Sequence, residues 1–128
     1  MNETVRQWLA KGEGDFATAG RELGATPSPN FDAVCFHAQQ CVEKLIKALL
    51  IHRGADAPRT HDLVYLSHLL SAAVPQWSWS VEELRFVSHA AVAFRYPGES
   101  AQREDATRAY ELAGRMREAL LVLLGGSP

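Results

Sequence analysis

Gln39, Gln40, Glu43, Lys44 and Lys47 fall at the spacing of one surface of a strongly helical segment, Phe31 to Leu50. Adjacent glutamines can each donate and accept hydrogen bonds, which suits a specific polar contact with a ligand. The plainer reading is a solvated face. It would lie beside a core face made by Val34, Ala38, Cys41, Val42, Leu45 and Leu49. On composition alone the plainer reading is preferred. Glu43 and Lys47 also stand four residues apart, so they can pair with each other and need no ligand to explain them.

Three further constellations bear on chemistry. His61-Asp62 opens a predicted helix, where the acid suits the dipole and the histidine can hydrogen-bond back to the previous helix. Its functional reading is a general base or a ligand contact; the structural reading is favoured, and His68 nearby adds nothing decisive. Arg95-Tyr96-Pro97-Gly98 places a guanidinium, which matches phosphate, beside a ring that can stack on a base. The same residues also read as dipole compensation and a packed aromatic at a turn, and the two readings stand level. Arg85 and His89 lie at i,i+4, on one helix face. His37 and Cys41 share that spacing and could meet one metal ion. Two ligands do not complete a zinc site, and no CxxC or HExxH pattern supplies the rest, so no metal and no cofactor is expected. No phosphate-binding glycine loop, nucleophile elbow or kinase signature is present.

A chain of 128 residues, 22% charged, reads as one domain with a single hydrophobic core. A formal charge of −2 argues against coating nucleic acid by bulk electrostatics, while leaving room for a local basic pocket. Arg85, Arg95, Arg103, Arg108, Arg115 and Arg117 are interleaved with acids and read as a mixed-charge solvated face. Cys35 and Cys41 diverge on one helix and cannot bridge without breaking it, which points to a reducing, cytoplasmic setting. No apolar run reaches the length of a membrane span, and Met1–Ala10 lacks the apolar centre of a signal peptide.

Five helices must position these groups. The first is read from Glu3 to Leu23, with Val5, Trp8, Leu9, Gly12, Phe16, Ala19 and Leu23 near one face. Gly12 and Gly14 weaken it but let another helix approach closely. Asn30 caps the second, Phe31 to His52, which Gly54 stops. Thr60 caps the third, with Asp62 in its first turn. Ser80-Val81-Glu82-Glu83 is a capping-box pattern for the fourth, which runs to Arg95 before Pro97. The fifth runs from about Ala101 to Leu124. Nothing alternates for long enough to form a strand. Long helices with short connections favour an all-α, antiparallel up-and-down bundle of four main helices plus one shorter helix.

Together, Ala38-Gln-Gln-Cys-Val-Glu-Lys-Leu-Ile-Lys-Ala-Leu-Leu50, then Thr60-His-Asp-Leu63, then Arg95-Tyr-Pro97 before a last long helix resemble the HEPN domain family over nearly the whole chain. The resemblance implies an all-α bundle, usually a homodimer, with a cleft that holds nucleotide or RNA. It implies work in prokaryotic defence or toxin–antitoxin pairs, often beside a minimal nucleotidyltransferase. Catalytic members are metal-independent endoribonucleases marked by an arginine followed after four to six residues by a histidine. This chain departs from that pattern. No histidine follows Arg95, and only three residues separate Arg85 from His89.

The resemblance therefore implies a nucleotide- or RNA-binding module. Gln39, Gln40, Glu43, Lys44, Lys47, His61, Arg95 and Tyr96 are its candidate contacts, with Lys44 and Arg95 on phosphate and Tyr96 on a base. The alternative is an endoribonuclease using His61 or His89 with Arg85 or Arg95. A third reading is a docking protein for a nucleotidyltransferase, with Trp77 and Trp79 in its surface.

Overall fold

The computed structural model describes residues 1–94 and 96–125. Five helices form: α1 Glu3–Leu23, α2 Phe31–His52, α3 Leu63–Ala73, α4 Val81–Ala93 and α5 Arg103–Leu123. No strand occurs among the described residues. The chain is an all-α bundle, as its spacing of apolar residues and breakers predicts.

Side-chain pairs along the helices give their directions. Gly12 meets Leu45, Asp15 meets His37, and Trp8 lies against Lys47, so α1 and α2 run antiparallel. Gly20 meets Tyr110, Phe16 meets Gly114, and Glu13 meets Arg117, so α1 and α5 are antiparallel too. Glu83 with Arg115 and Phe86 with Arg108 set α4 against α5 in the same sense. The four main helices are therefore α1, α2, α4 and α5. The short α3 packs on α2 and α4, and α2 and α5 close across the diagonal. Consequently α2 touches every other helix, and its core includes Val34, Ala38, Val42, Leu45, Ile46 and Leu49, all fully buried.

Local chemistry explains the helix ends. Asn30 Oδ1 accepts from Ala33 N at 3.0 Å and starts α2. Gly54, at φ +80°, ends it: Ala55 N donates to Leu50 O and Gly54 N to Ile51 O, the double closure that a left-handed residue permits. Gly12 serves a different need. A Cβ there would stand 2.9 Å from Leu45 Cδ2, so hydrogen at this position lets α1 and α2 meet closely. Gly14 has open space instead.

Three expected ends shift. Asp62, not Thr60, caps α3: its Oδ1 accepts from Val64 N and Tyr65 N, while the Thr60 hydroxyl accepts from Asp62 N. The cap lies two residues later than expected because a carboxylate reaches two orphan donors where a hydroxyl reaches one. Helix α4 stops at Ala93, with Phe94 as its C-cap. Helix α5 starts at Arg103, because Ala101 N donates to Asp32 Oδ1 at 2.7 Å and Gln102 N to Asp105 Oδ2 at 2.9 Å. The Ser80 hydroxyl does cap α4, accepting from Glu83 N, but the Glu83 carboxylate turns to Trp79 Nε1 and Arg115. Both loop tryptophans seal the end of the core. Trp77 is buried, donates from Nε1 to Ser67 Oγ at 2.9 Å, and stacks on Trp79 at 5.4 Å between centroids.

Candidate functional site

The polar row on α2 does not face water. Gln39, Glu43 and Lys47 are only 3%, 3% and 5% exposed, which overturns the solvated-face reading. One i,i+4 row points inward because every one of its polar groups finds a partner there. Lys47 Nζ donates to Glu43 Oε2 at 3.0 Å, confirming the expected pair. Glu43 Oε1 accepts from Gln39 Nε2 at 3.0 Å, from His61 Nδ1 at 2.9 Å, and from Gln40 Nε2 at 3.4 Å. Gln39 Nε2 also donates to the His61 backbone oxygen at 2.9 Å, and its own oxygen accepts from Gln40 Nε2 at 2.8 Å. Burial alone would push the Glu43 carboxyl up. The hydrogen bonds from Gln39, His61 and Lys47, with the Lys47 charge, outweigh it and hold Glu43 below the usual carboxylate range.

This buried row presents one side chain to solvent. The His61 ring is 82% exposed and only its Nδ1 edge meets Glu43. An ionised carboxylate can only accept, so Nδ1 carries the proton and Nε2 faces outward. His61 opens onto a cleft of about 450 Å³ lined by Phe36, Gln39, Gln40, Asp62, Ser88, Ala91 and Val92. The Ser88 hydroxyl donates to the His61 backbone oxygen, tying α4 to the start of α3. An adjoining depression shares Asp62, Ser88 and Val92 and adds Arg85 and His89. The fold therefore brings His61, Gln40, Arg85 and His89 to one connected surface.

The remaining candidates lie elsewhere. Lys44 turns toward α1, where its Nζ donates to Asp15 Oδ2 at 2.6 Å. The Lys47 ammonium is spent on Glu43 and lies 5.6 Å from the centre of the Trp8 ring. Tyr96 is 72% exposed on the connection after α4. Arg95 lies outside the described residues. Of the late arginines, Arg117 is committed to Glu13 through two bonds of 2.7 and 2.6 Å.

Other chemistry finds no support in the geometry. His37 Nδ1 meets Asp15 at 2.8 Å, not Cys41, and no group of three or more metal-ligating side chains gathers among the described residues. Burial pushes the Cys35 thiol up to about 11 and raises Cys41 further, so neither is a thiolate nucleophile at neutral pH. Sequence reasoning missed Asp15, Phe36 and Ser88. No motif marks them: Phe36 reads as one more apolar residue of α2, and only the packing of α1 and α4 on α2 brings Asp15 and Ser88 to its polar side chains.

No described helix is long and apolar enough to cross a membrane. The chain is similar in structure to TT1696 from Thermus thermophilus, at 24% identity and a TM-score of 0.74, covering 96% of this chain and 99% of that one. It is also similar to ST0689, an archaeal HEPN homologue, at 23% identity and a TM-score of 0.67, with 94% and 96% covered. No curated protein matches it. The HEPN domain family matches residues 5–123, nearly the full length of all five helices, and the chain belongs to that family.

Proposed function

We propose that the chain is a nucleotide- or RNA-phosphate-binding HEPN module, acting as a cytoplasmic homodimer in a prokaryotic defence or toxin–antitoxin setting. The observation that carries this reading is the His61 cleft. An exposed imidazole is hydrogen-bonded at Nδ1 to a buried carboxylate, beside the Gln40 amide and the Ser88 hydroxyl, with Arg85 and His89 adjoining. These groups suit phosphate oxygens and base edges. The apolar lip supports a second copy: Phe36 and Val92 are 37% and 47% exposed at the cleft. A minimal nucleotidyltransferase is the alternative occupant of that lip. The biological setting follows from the family resemblance.

One observation favours a second reading, a metal-independent endoribonuclease. The Glu43–His61 pair leaves Nε2 outward, where it can move a proton, and Arg85 lies in the adjoining depression to stabilise a phosphate. A titration of labelled single-stranded RNA, read on native and denaturing gels, separates the two. Retarded, intact RNA weakened by His61→Ala and Arg95→Ala supports the binding module. Cleavage lost in His61→Ala supports the nuclease. Neither shift nor cleavage overturns both and leaves a protein partner.

A further inference from the structure

Between α2 and α4 run two hollows that share Phe36 and Ala91. One is the His61 cleft. The other, of about 290 Å³, lies toward the start of α2, and its lining includes Asp32, His37, Ala90 and Phe94. The groups beneath them fix which polar atoms each hollow presents. In the cleft, Gln39 Nε2 donates to Glu43 and to the His61 backbone oxygen, so the Gln39 oxygen accepts from Gln40 Nε2. Gln40 Nε2 also leans toward Glu43 Oε1, which leaves the Gln40 oxygen as the open end of its amide. His61 turns Nδ1 inward and presents the lone pair of Nε2. Asp62 spends Oδ1 on Val64 N and Tyr65 N and keeps its other oxygen. The second hollow repeats the arrangement. Asp15 gives one oxygen to the Lys44 ammonium and the other to His37 Nδ1, which therefore donates, and His37 too presents Nε2. Asp32 spends Oδ1 on Ala101 N and keeps its other oxygen. Among the described residues no ion pair joins Asp32 or Asp62 to a cation.

We infer that these joined hollows bind an aliphatic polyamine, with one ammonium in each and the hydrocarbon chain across Phe36. An ammonium carries three N–H donors and no acceptor. Each hollow offers it a carboxylate oxygen and an imidazole nitrogen, and the cleft adds the Gln40 oxygen. Phe36 stands between them at 37% exposure, its ring edge to face with His37 at 5.2 Å between centroids. An aromatic face attracts a cation, and its apolar surface covers methylene groups. Phe94, Ala91 and Val92 extend that apolar surface. The inference goes beyond the phosphate reading and does not depend on it. Phosphate oxygens only accept, so in that reading they fall to Arg85 and His89 in the adjoining depression.

The test is calorimetric titration of the full chain at pH 8 with spermidine and with butylamine. Spermidine is expected to bind once per chain, about tenfold or more tightly than butylamine, because its second ammonium binds as a tethered group. Asp32→Asn and Asp62→Asn each remove a charge but keep the oxygen that holds Ala101 or caps α3. Each is expected to weaken spermidine about threefold or more, within the range of a single exposed ion pair. Glu111→Gln, which removes an exposed charge from α5, is expected to leave the affinity unchanged. Absence of spermidine binding overturns the inference. Butylamine binding as tightly as spermidine overturns the use of two hollows. Affinity that ignores either aspartate variant places the ligand elsewhere and overturns it. An equal loss in Glu111→Gln also overturns it, since the polyamine then follows the overall charge of the chain.

Discussion

Replacing Glu43 by leucine removes the one anion in a closed polar row. Lys47 then keeps its ammonium at 5% exposure with only the Trp8 ring nearby. Taking one partner from a buried ion pair costs about 3–5 kcal/mol. Lys47→Leu should cost less, roughly 1–3 kcal/mol, because the carboxylate keeps its bonds to Gln39 and His61 at 3.0 and 2.9 Å. In the double variant neither charge is stranded. Gln39 still donates to the His61 backbone oxygen, and the exposed His61 ring turns to water. Replacing a buried pair by apolar groups is often neutral, so the double variant should be more stable than Glu43→Leu alone. Equilibrium urea unfolding of the four proteins measures the cycle, and the expected coupling is about 2 kcal/mol or more. Additive single costs would refute the reasoning, because they would mean that Lys47 reaches water without Glu43.

The other predictions concern the same architecture. Gly12→Ala should destabilise by roughly 1–2 kcal/mol, since overpacking against Leu45 and the Cys41 carbonyl exceeds the gain in helix propensity. Gly14→Ala, facing open space, should stabilise by about 0.5–1 kcal/mol; chemical denaturation reads both signs. The Glu43 carboxyl is held below its ordinary value of 4.5, so its contribution to stability is complete above that value. It is lost as pH falls through the lower folded-state value, and Glu43→Gln should flatten this acid limb in pH-dependent melting. Trp77→Phe should cost roughly 1–3 kcal/mol by leaving the buried Ser67 hydroxyl without its indole donor, a loss that thermal unfolding will register.

The helices were legible because their punctuation is local. Asn30, Gly54 and the Ser80 cap act within a few residues, so the bounds of α1 and α2 coincide with the expected ones. The contact of Glu43 with Lys47 was legible for the same reason, and that of His61 with the preceding helix because only a short loop separates the two helices. The direction of the polar row was not. Periodicity assigns glutamine, glutamate and lysine to water, and only a histidine eighteen positions on reverses that assignment. Lys44 shows the same limit: it sits beside Glu43 in sequence, but the helix turn sends it to Asp15, in another helix. Arg85 and His89 were visible as a pair, yet their nearness to His61 depends on how α4 packs against the start of α3.

Because α2 touches all four other helices, it has almost no surface on which mutations can accumulate without effect. From Phe31 to His52, only Phe36 and His52 are well exposed. A substitution elsewhere along α2 meets a second helix and needs a matching change there to be tolerated. The outer face of α5 is under less constraint: Glu104, Glu111 and Glu118 face water there, although Arg108 and Arg115 reach across to Phe86 and Glu83 of α4. Drift in this chain should therefore be uneven. The last helix can exchange those three acids freely, while the second can change only in concert with its neighbours.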